Sequence, residues 1–331
     1  MNASLKSVPA DPARADAVAQ IGASQGDGLG QSNAVAQADT TADAGAIASR
    51  QPVAQSDDLS QVNAVAQSAA VSPVNVVSHS DAVAQADAVA QARVDLAACY
   101  RLAAHFGLNE GIDNHLTMLV PGYTDRFLLA PFGLHWSEVR ASDFMVIDFA
   151  GRMLSGRGPV EDTALYIHLP VHRLAPRARC AFHTHMPYAT ALSMLEDPRL
   201  EMAGQSAIGF YEDIAYECDY NGLAFDATEG ERLVRALGSK SVLMMQNHGV
   251  LAIGETAAQA FERLYFLERA AQAQVLALST GRSLRRVPDA VVKTTAAQFQ
   301  LGSQVGGRDR AQLHFEALKR LLDRTAPDYT H

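Results

Sequence analysis

Residues 92–331 predict an α/β fold, in which a central sheet is covered by helices on both faces. Three observations carry this. Apolar runs of strand length alternate with amphipathic helical stretches, turn residues punctuate the junctions, and every aromatic residue lies beyond residue 91. In order, residues 92–106 show helical spacing (Val94, Leu96, Ala97, Leu102, Ala103, Phe106), and Gly107 supplies a stop. Residues 116–120, 126–129 and 144–149 read as short strands, separated by turn chemistry such as Pro121-Gly122 and Ala150-Gly151. Residues 163–174 read as a helix that Pro176 ends. A strand carrying His183 follows, then a helix begun by Pro187, whose fixed φ suits a first turn. Past a mixed stretch to Tyr220, residues 228–237 give an amphipathic helix closed by Gly238. Strands at 241–245 and 250–253 flank a turn at His248, and Thr256 caps a long helix with Phe261, Leu264, Tyr265 and Leu267 on its apolar side. A Gly-rich link at 301–307 leads into a last amphipathic helix over 310–322.

Residues 1–91 differ in kind. They hold nine Asp against three basic residues (Lys6, Arg14, Arg50), which is −6 of the formal −9. A short word recurs at uneven intervals: Asp16-Ala-Val-Ala-Gln20, then 33–37, 63–67, 81–85 and 87–91. A solenoid needs a fixed period, so the irregular intervals argue against one. With so little large apolar surface to offset ordering entropy, this extension is expected to be low-complexity and disordered. The two adjacent copies at 81–91 favour helix through their Ala and Gln, and no packed structure is expected before about residue 80.

Composition excludes several functions. Residues 92–331 carry a net charge of −3 with no basic stripe, which excludes nucleic acid as a partner. No basic start joined to an apolar stretch marks a leader, and no window approaches the ~18 apolar residues of a membrane span. A soluble, cytoplasmic protein with a small-molecule substrate is expected. Cys99, Cys180 and Cys218 are too widely and irregularly spaced for a disulfide framework or a zinc ribbon.

The chemistry concentrates in histidines. In Cys180-Ala-Phe-His-Thr-His-Met-Pro187, side chains two apart on an extended strand leave the same face, so His183 and His185 can point at one ion. His248, in Gln246-Asn-His-Gly249, also stands at a strand end before a Gly that permits a tight turn. Three neutral imidazoles with an open fourth position make a hydrolytic or lyase site, because substrate or water can reach the cation. Spacing alone leaves open that the three are unrelated core or surface residues, since a short His-x-His is common. His168 and His172, at i and i+4 on one helix, lack a third ligand of their own and read as packing or interface residues.

Six ordered motifs add to this: Asn114-His-Leu-Thr117, Leu129-Ala-Pro-Phe-Gly133, Ser142-Asp-Phe-Met-Val-Ile-Asp148, His183-Thr-His185, Gln246-Asn-His-Gly249 and the helix Phe261 through Arg269. Together with the closing Phe315 to Tyr329, the chain from about residue 92 resembles the class II aldolase/adducin family, in its adducin-like bacterial branch. The resemblance implies a three-layer α/β/α sandwich with a mixed or antiparallel sheet, and a homotetramer with sites between subunits. It also implies a zinc-type metal on His183, His185 and His248, with Mn2+ or Co2+ as alternatives.

Two departures from the family pattern matter. In the sugar-phosphate aldolases a catalytic Glu precedes the first ligand by nineteen residues; here that position is Ala164. The nearest carboxylates are Glu161 and Asp162, and Glu161, on the same helical face, can reach the pocket if the helix start is shifted; the alternative is a first-turn acid favoured by the helix dipole. The phosphate anchors also fail, matching Asn114-His115, Phe132-Gly133 and Asp162-Thr163, where a phenyl ring and a carboxylate replace small donors. An unphosphorylated hydroxy, keto or aromatic acid is therefore expected, with Asn114, Phe132, Gly133 and Gln205 as substrate contacts. His115, in place of the family's Asn, is expected to act as acid/base or oxyanion donor, or else to be a turn histidine satisfied by backbone. Glu268 is expected to orient a ligand histidine or to pair with Arg269, and Tyr329 to reach a neighbouring subunit or to lie in a loose terminus.

The expected activity is a divalent-metal-dependent carbon–carbon lyase, by retro-aldol cleavage or decarboxylation through a metal-stabilised enolate. The missing Glu tilts the reading toward decarboxylation, or toward an aldolase with His115, Glu161 or water as proton carrier. The alternatives are a non-catalytic, adducin-like oligomerisation or scaffold module, and a metal-assisted epimerase or isomerase.

Overall fold

The computed structural model describes residues 79–224 and 227–331. The expectation of disorder for residues 1–78 lies outside the described residues. Helix α1 (His79–Phe106) begins earlier than the predicted residue 92, because both adjacent copies of the repeated word join it. Ala and Gln lose little on entering a helix. Val89 then packs on the core, and the Gln85 amide donates to the Pro121 carbonyl, so residue 91 sits inside a continuous helix.

Strands β1 (His115–Leu119), β2 (Arg126–Leu129), β3 (Met145–Asp148), β4 (Met153–Ser155), β5 (Cys180–Thr184), β6 (Ile214–Glu217), β7 (Val242–Met245) and β8 (Gly249–Gly254) form one eight-stranded sheet. Its order is β4-β3-β2-β1-β5-β8-β7-β6, antiparallel throughout except where β6 runs parallel to β7. The remaining helices are α2 (Asp162–Leu174), α3 (Pro187–Ser193), α4 (Gln205–Ile208), α5 (Ala227–Leu237), α6 (Ala257–Leu278), α7 (Asp289–Leu301) and α8 (Arg310–Thr325). A small hairpin, β9 (Gln304–Val305) with β10 (Arg308–Asp309), occupies the Gly-rich link.

The two-residue side-chain period of the strands divides the core. Phe182, Met244, Val250 and Ala252 face one way, into the cluster made with α1, α3, α6 and α8. Ala181, Leu243, Met245, Leu251 and Ile253 face the other way, against Ile167 and Val171 of α2 and Leu233 and Leu237 of α5. The described residues thus form the expected three-layer α/β/α sandwich around a mixed sheet. His115, Thr117 and His183 share the parity of Ala181, so all three point to the α2 side.

Four features lack the patterns that sequence reading relies on. β4 is exposed at all three positions, and β6 is half-buried at every position, so neither alternates. α4 spans only one turn, and α7 fully buries Val292 alone, so neither shows an apolar stripe. Thr256 caps α6 as expected, its hydroxyl accepting from Gln259 N at 3.2 Å. The chain end is not loose: Tyr329 is buried within its own chain, its hydroxyl donating to Asp323 at 2.9 Å. Among the described residues no helix is long and apolar enough to cross a membrane, and all three cysteines are free.

Candidate metal centre and the recess beside it

Strand pairing assembles the centre. His183 lies opposite His115 across β1 and β5, and opposite Leu251 across β5 and β8. Its Nδ1 is 2.9 Å from the Val250 carbonyl oxygen, which can only accept, so Nδ1 carries the hydrogen and Nε2 keeps a lone pair. His185, just past the end of β5, is fixed in the same way, with Nδ1 2.5 Å from Glu110 Oε2. Its Nε2 is buried with no partner. His248 completes the group: its ring centroid lies 4.8 Å from that of His183 and 4.9 Å from that of His185. One nitrogen from each ring lies within 4.8 Å of the other two. A buried nitrogen without a partner is costly unless something binds it, so this donor set fits one divalent ion.

The backbone makes the convergence possible. Gln246, Asn247 and His248 join β7 to β8, and Asn247 takes the left-handed conformation (φ 57°). The expected turn glycine has a different task. A Cβ on Gly249 would stand 2.6 Å from the Thr184 carbonyl oxygen and 2.7 Å from His185 Cδ2, so only glycine lets the His248 turn approach the β5 exit. Asn114, also left-handed (φ 72°), accepts from His185 N–H through Oδ1 at 3.0 Å. Glu268 reaches neither a ligand histidine nor Arg269 by hydrogen bond. Its carboxylate accepts from the N–H groups of Tyr188 and Ala189 at 2.8 and 2.9 Å, capping α3 and so anchoring the segment that follows His185.

Burial favours the neutral form of the His183 and His248 rings, which is the ligand form. It pushes His183 well below the ordinary histidine value, with His248 and His185 adding to the effect. His248 is lowered to about 4 by burial and then by His185, against an opposing Glu229. His115 falls to about 3 for the same first reason, with His185 and His248 contributing.

A recess adjoins the centre, lined by Asn114, His115, Phe132, Glu161, Tyr100 and Trp136 among others. Glu161 stands immediately before α2, since the helix begins at Asp162, one residue earlier than predicted. Its Oε2 is 3.7 Å from His115 Nε2, and its Oε1 accepts from the Thr163 hydroxyl at 2.6 Å. Burial raises the Glu161 pKa, and Asp113 and Asp162 raise it further, against the Thr163 hydrogen bond and His185. Ala164 packs with Phe127, Leu129 and Met145 and also lines the recess, so a methyl group stands at the position expected to carry the acid in the sugar-phosphate aldolases. Gly133 follows Phe132 with φ 98°. Neither Gly133 nor Gln205 is part of the recess lining; Gln205 opens α4 and lines two other cavities, near Glu262 and Arg263 in one and near Gln274 and Arg282 in the other. Glu110, the partner of His185, gives no signal in the sequence, being separated from it by 75 residues.

Three converging imidazoles beside an acid-bearing recess, carried on an α/β/α domain, are a donor set that could hold a metal ion. Residues 94–275 match the family model described as Class II Aldolase and Adducin N-terminal domain. A Caulobacter vibrioides protein named "Putative aldolase class 2 protein" is 36% identical over 241 residues, covering 72% of this chain and 91% of that one. An aldolase II superfamily protein from Pseudomonas syringae superposes with a TM-score of 0.67 at 33% identity, over 74% of this chain and 96% of that one. L-fuculose 1-phosphate aldolase from Glaciozyma antarctica PI12 gives 0.62 at 25%, over 73% and 92%. The chain belongs to the class II aldolase/adducin family.

Proposed function

We propose that this chain is a divalent-metal-dependent carbon–carbon lyase acting on a small, unphosphorylated hydroxy or keto acid. The observation that carries the reading is the bare, buried Nε2 of His185 set among the free nitrogens of its neighbours. A scaffold module has no use for such a nitrogen. Zn2+, or alternatively Mn2+ or Co2+, held by His183, His185 and His248, would supply Lewis-acid stabilisation to developing negative charge.

The chain's own residues manage the protons. His115 Nε2 takes the proton of a substrate hydroxyl; the O–H pair becomes the new carbonyl, and the broken carbon–carbon pair passes to the enolate fragment. Glu161, whose pKa burial raises, gives a proton to that carbon. At 3.7 Å the two groups can then exchange the proton and reset. Supplying both carriers favours retro-aldol cleavage, with decarboxylation as the simpler variant. The recess lining contains no lysine or arginine, and the Thr163 hydroxyl is committed to Glu161, which disfavours phosphate. The exposed Val291, Leu301 and Val305 near the chain's end support a homo-oligomeric working form.

The test pairs metal analysis of the purified protein with a substrate panel of unphosphorylated hydroxy and keto acids and sugar phosphates. With zinc or manganese present, aldehyde and carbon dioxide are followed separately. One bound metal and turnover of an unphosphorylated acid are expected. Protein that retains no metal after reconstitution refutes the lyase, and preference for a sugar phosphate refutes the substrate class.

A further inference from the structure

Behind His115 lies a ladder of polar groups that the reaction above does not use. His115 Nδ1 is 2.9 Å from His168 Nε2; His168 Nδ1 is 2.6 Å from Thr117 Oγ1; Thr117 Oγ1 is 2.8 Å from His172 Nε2; and His172 Nδ1 is 2.7 Å from the Ala178 carbonyl oxygen. Every member is buried, His168 and Thr117 completely. Behind His115, none of His168, Thr117 and His172 makes a hydrogen bond or ion pair with a carboxylate; Glu161, 3.7 Å from His115 Nε2, stands on the recess side, so an imidazolium at His168 or His172 would be an uncompensated buried charge.

With neutral rings, the direction of every hydrogen follows from the one end that cannot vary. A carbonyl only accepts, so His172 carries its hydrogen on Nδ1 and presents a lone pair at Nε2. That lone pair takes the single Thr117 hydrogen. Giving it instead to the Ala181 carbonyl, 3.2 Å away, would leave oxygen and nitrogen lone pairs facing each other at 2.8 Å. Thr117 Oγ1 must then accept from His168 Nδ1–H, which strips His168 Nε2, which in turn accepts from His115 Nδ1–H. The last consequence is a lone pair on His115 Nε2, aimed at the recess. Its nearest polar neighbours are Thr163 Oγ1 at 3.5 Å and Glu161 Oε2 at 3.7 Å, and the Thr163 hydrogen is already given to Glu161.

We propose that Thr117, His168 and His172 are positioning residues that lock His115 in the Nδ1–H tautomer, so that its Nε2 is held ready as a proton acceptor. The ladder ends on a backbone carbonyl and so has no outlet; it orients His115 and does not conduct protons. Its catalytic meaning rests on the lyase reading, but the tautomer does not.

Long-range 1H–15N correlation spectra of the full-length protein, labelled with 15N-histidine, read each tautomer directly. Nδ1–H is expected for His115, His168 and His172, and an Nε2–H signal for His115 overturns the proposal whatever the protein catalyses. Thr117→Val removes the hydroxyl at equal volume. It should mix the His115 tautomers and lower kcat about 10-fold to 100-fold, with KM and bound metal unchanged and Thr117→Ser restoring the wild-type spectrum. A Thr117→Val spectrum with His115 still purely Nδ1–H refutes the locking role. If that variant does not fold, the wild-type spectrum and that of His172→Asn, which removes the Nε2 lone pair while keeping a donor toward Ala178, decide the matter. Failure to find metal or a substrate while the Nδ1–H tautomers are present would count against the lyase and not against the ladder.

Discussion

Two groups of three histidines meet at the β1–β5 strand pair, and they have opposite fates. At the β5 exit, His183 and His185 each spend one nitrogen on a fixed acceptor and leave the other bare, facing His248. Beneath α2, His115, His168 and His172 spend their nitrogens on each other, on Thr117 and on Ala178, and only His115 Nε2 comes out free. The residue type is the same, and the burial differs only in that His185 and His248 are half-buried where the ladder histidines are buried. What separates the candidate metal centre from the proposed orienting ladder is the count of nitrogens left without a partner, which depends on Glu110, Val250 and Thr117 rather than on the histidines themselves.

The comparison breaks most visibly at the bare nitrogens. His248→Ala should abolish metal retention and turnover together, measured by elemental analysis and a coupled assay, whereas His168→Gln should leave metal bound. Equal metal loss in both would erase the distinction. Glu161→Gln comes next. It removes the only carboxylate lining the recess and should slow turnover by about 10²-fold to 10⁴-fold while metal stays bound. A rate within about threefold of wild type would return Glu161 to a helix-start role. Glu110→Gln should weaken metal affinity by about 10-fold to 100-fold, read by chelator competition, because His185 would lose its charged acceptor. Unchanged affinity would mean that the Glu110 contact does not set the His185 ring.

These tests also mark what the sequence could and could not say. His183, His185 and His248 were legible because two of them share a strand parity and the third sits in a turn beside a glycine, although the glycine serves close approach and Asn247 makes the turn. The His168 and His172 pair was legible as one face of a helix, but its purpose was not. Thr117 comes from β1, and nothing in local spacing says that β1 lies under α2. Glu110 is hidden for the same reason, as a loop carboxylate whose partner is set by sheet order. Glu161 depended on where α2 starts, a matter of one residue. Glu268 was expected at a ligand ring or paired with Arg269 and instead caps α3, because two free N–H groups at a helix start are the donors within its reach.

The smallest predicted effect tests the ladder through stability. Burial lowers the His172 pKa from 6.5 to about 4 in the folded chain, against a smaller raising effect of its Ala178 hydrogen bond. Because the folded value is the lower one, the unfolded chain takes up the proton first as pH falls. The contribution of neutral His172 is therefore intact above about pH 6.5 and is lost progressively as pH falls toward 4, at a limit of about 1.4 kcal/mol per pH unit for one proton. Below 4 both states are protonated and the loss levels off. His172→Asn cannot titrate in this range, so urea unfolding of metal-stripped protein between pH 7 and 4.5 should show a shallower fall for the variant than for wild type. Parallel curves would mean that His172 is solvated or already charged in the folded chain, and the fixed end of the ladder, from which every other hydrogen was placed, would be gone.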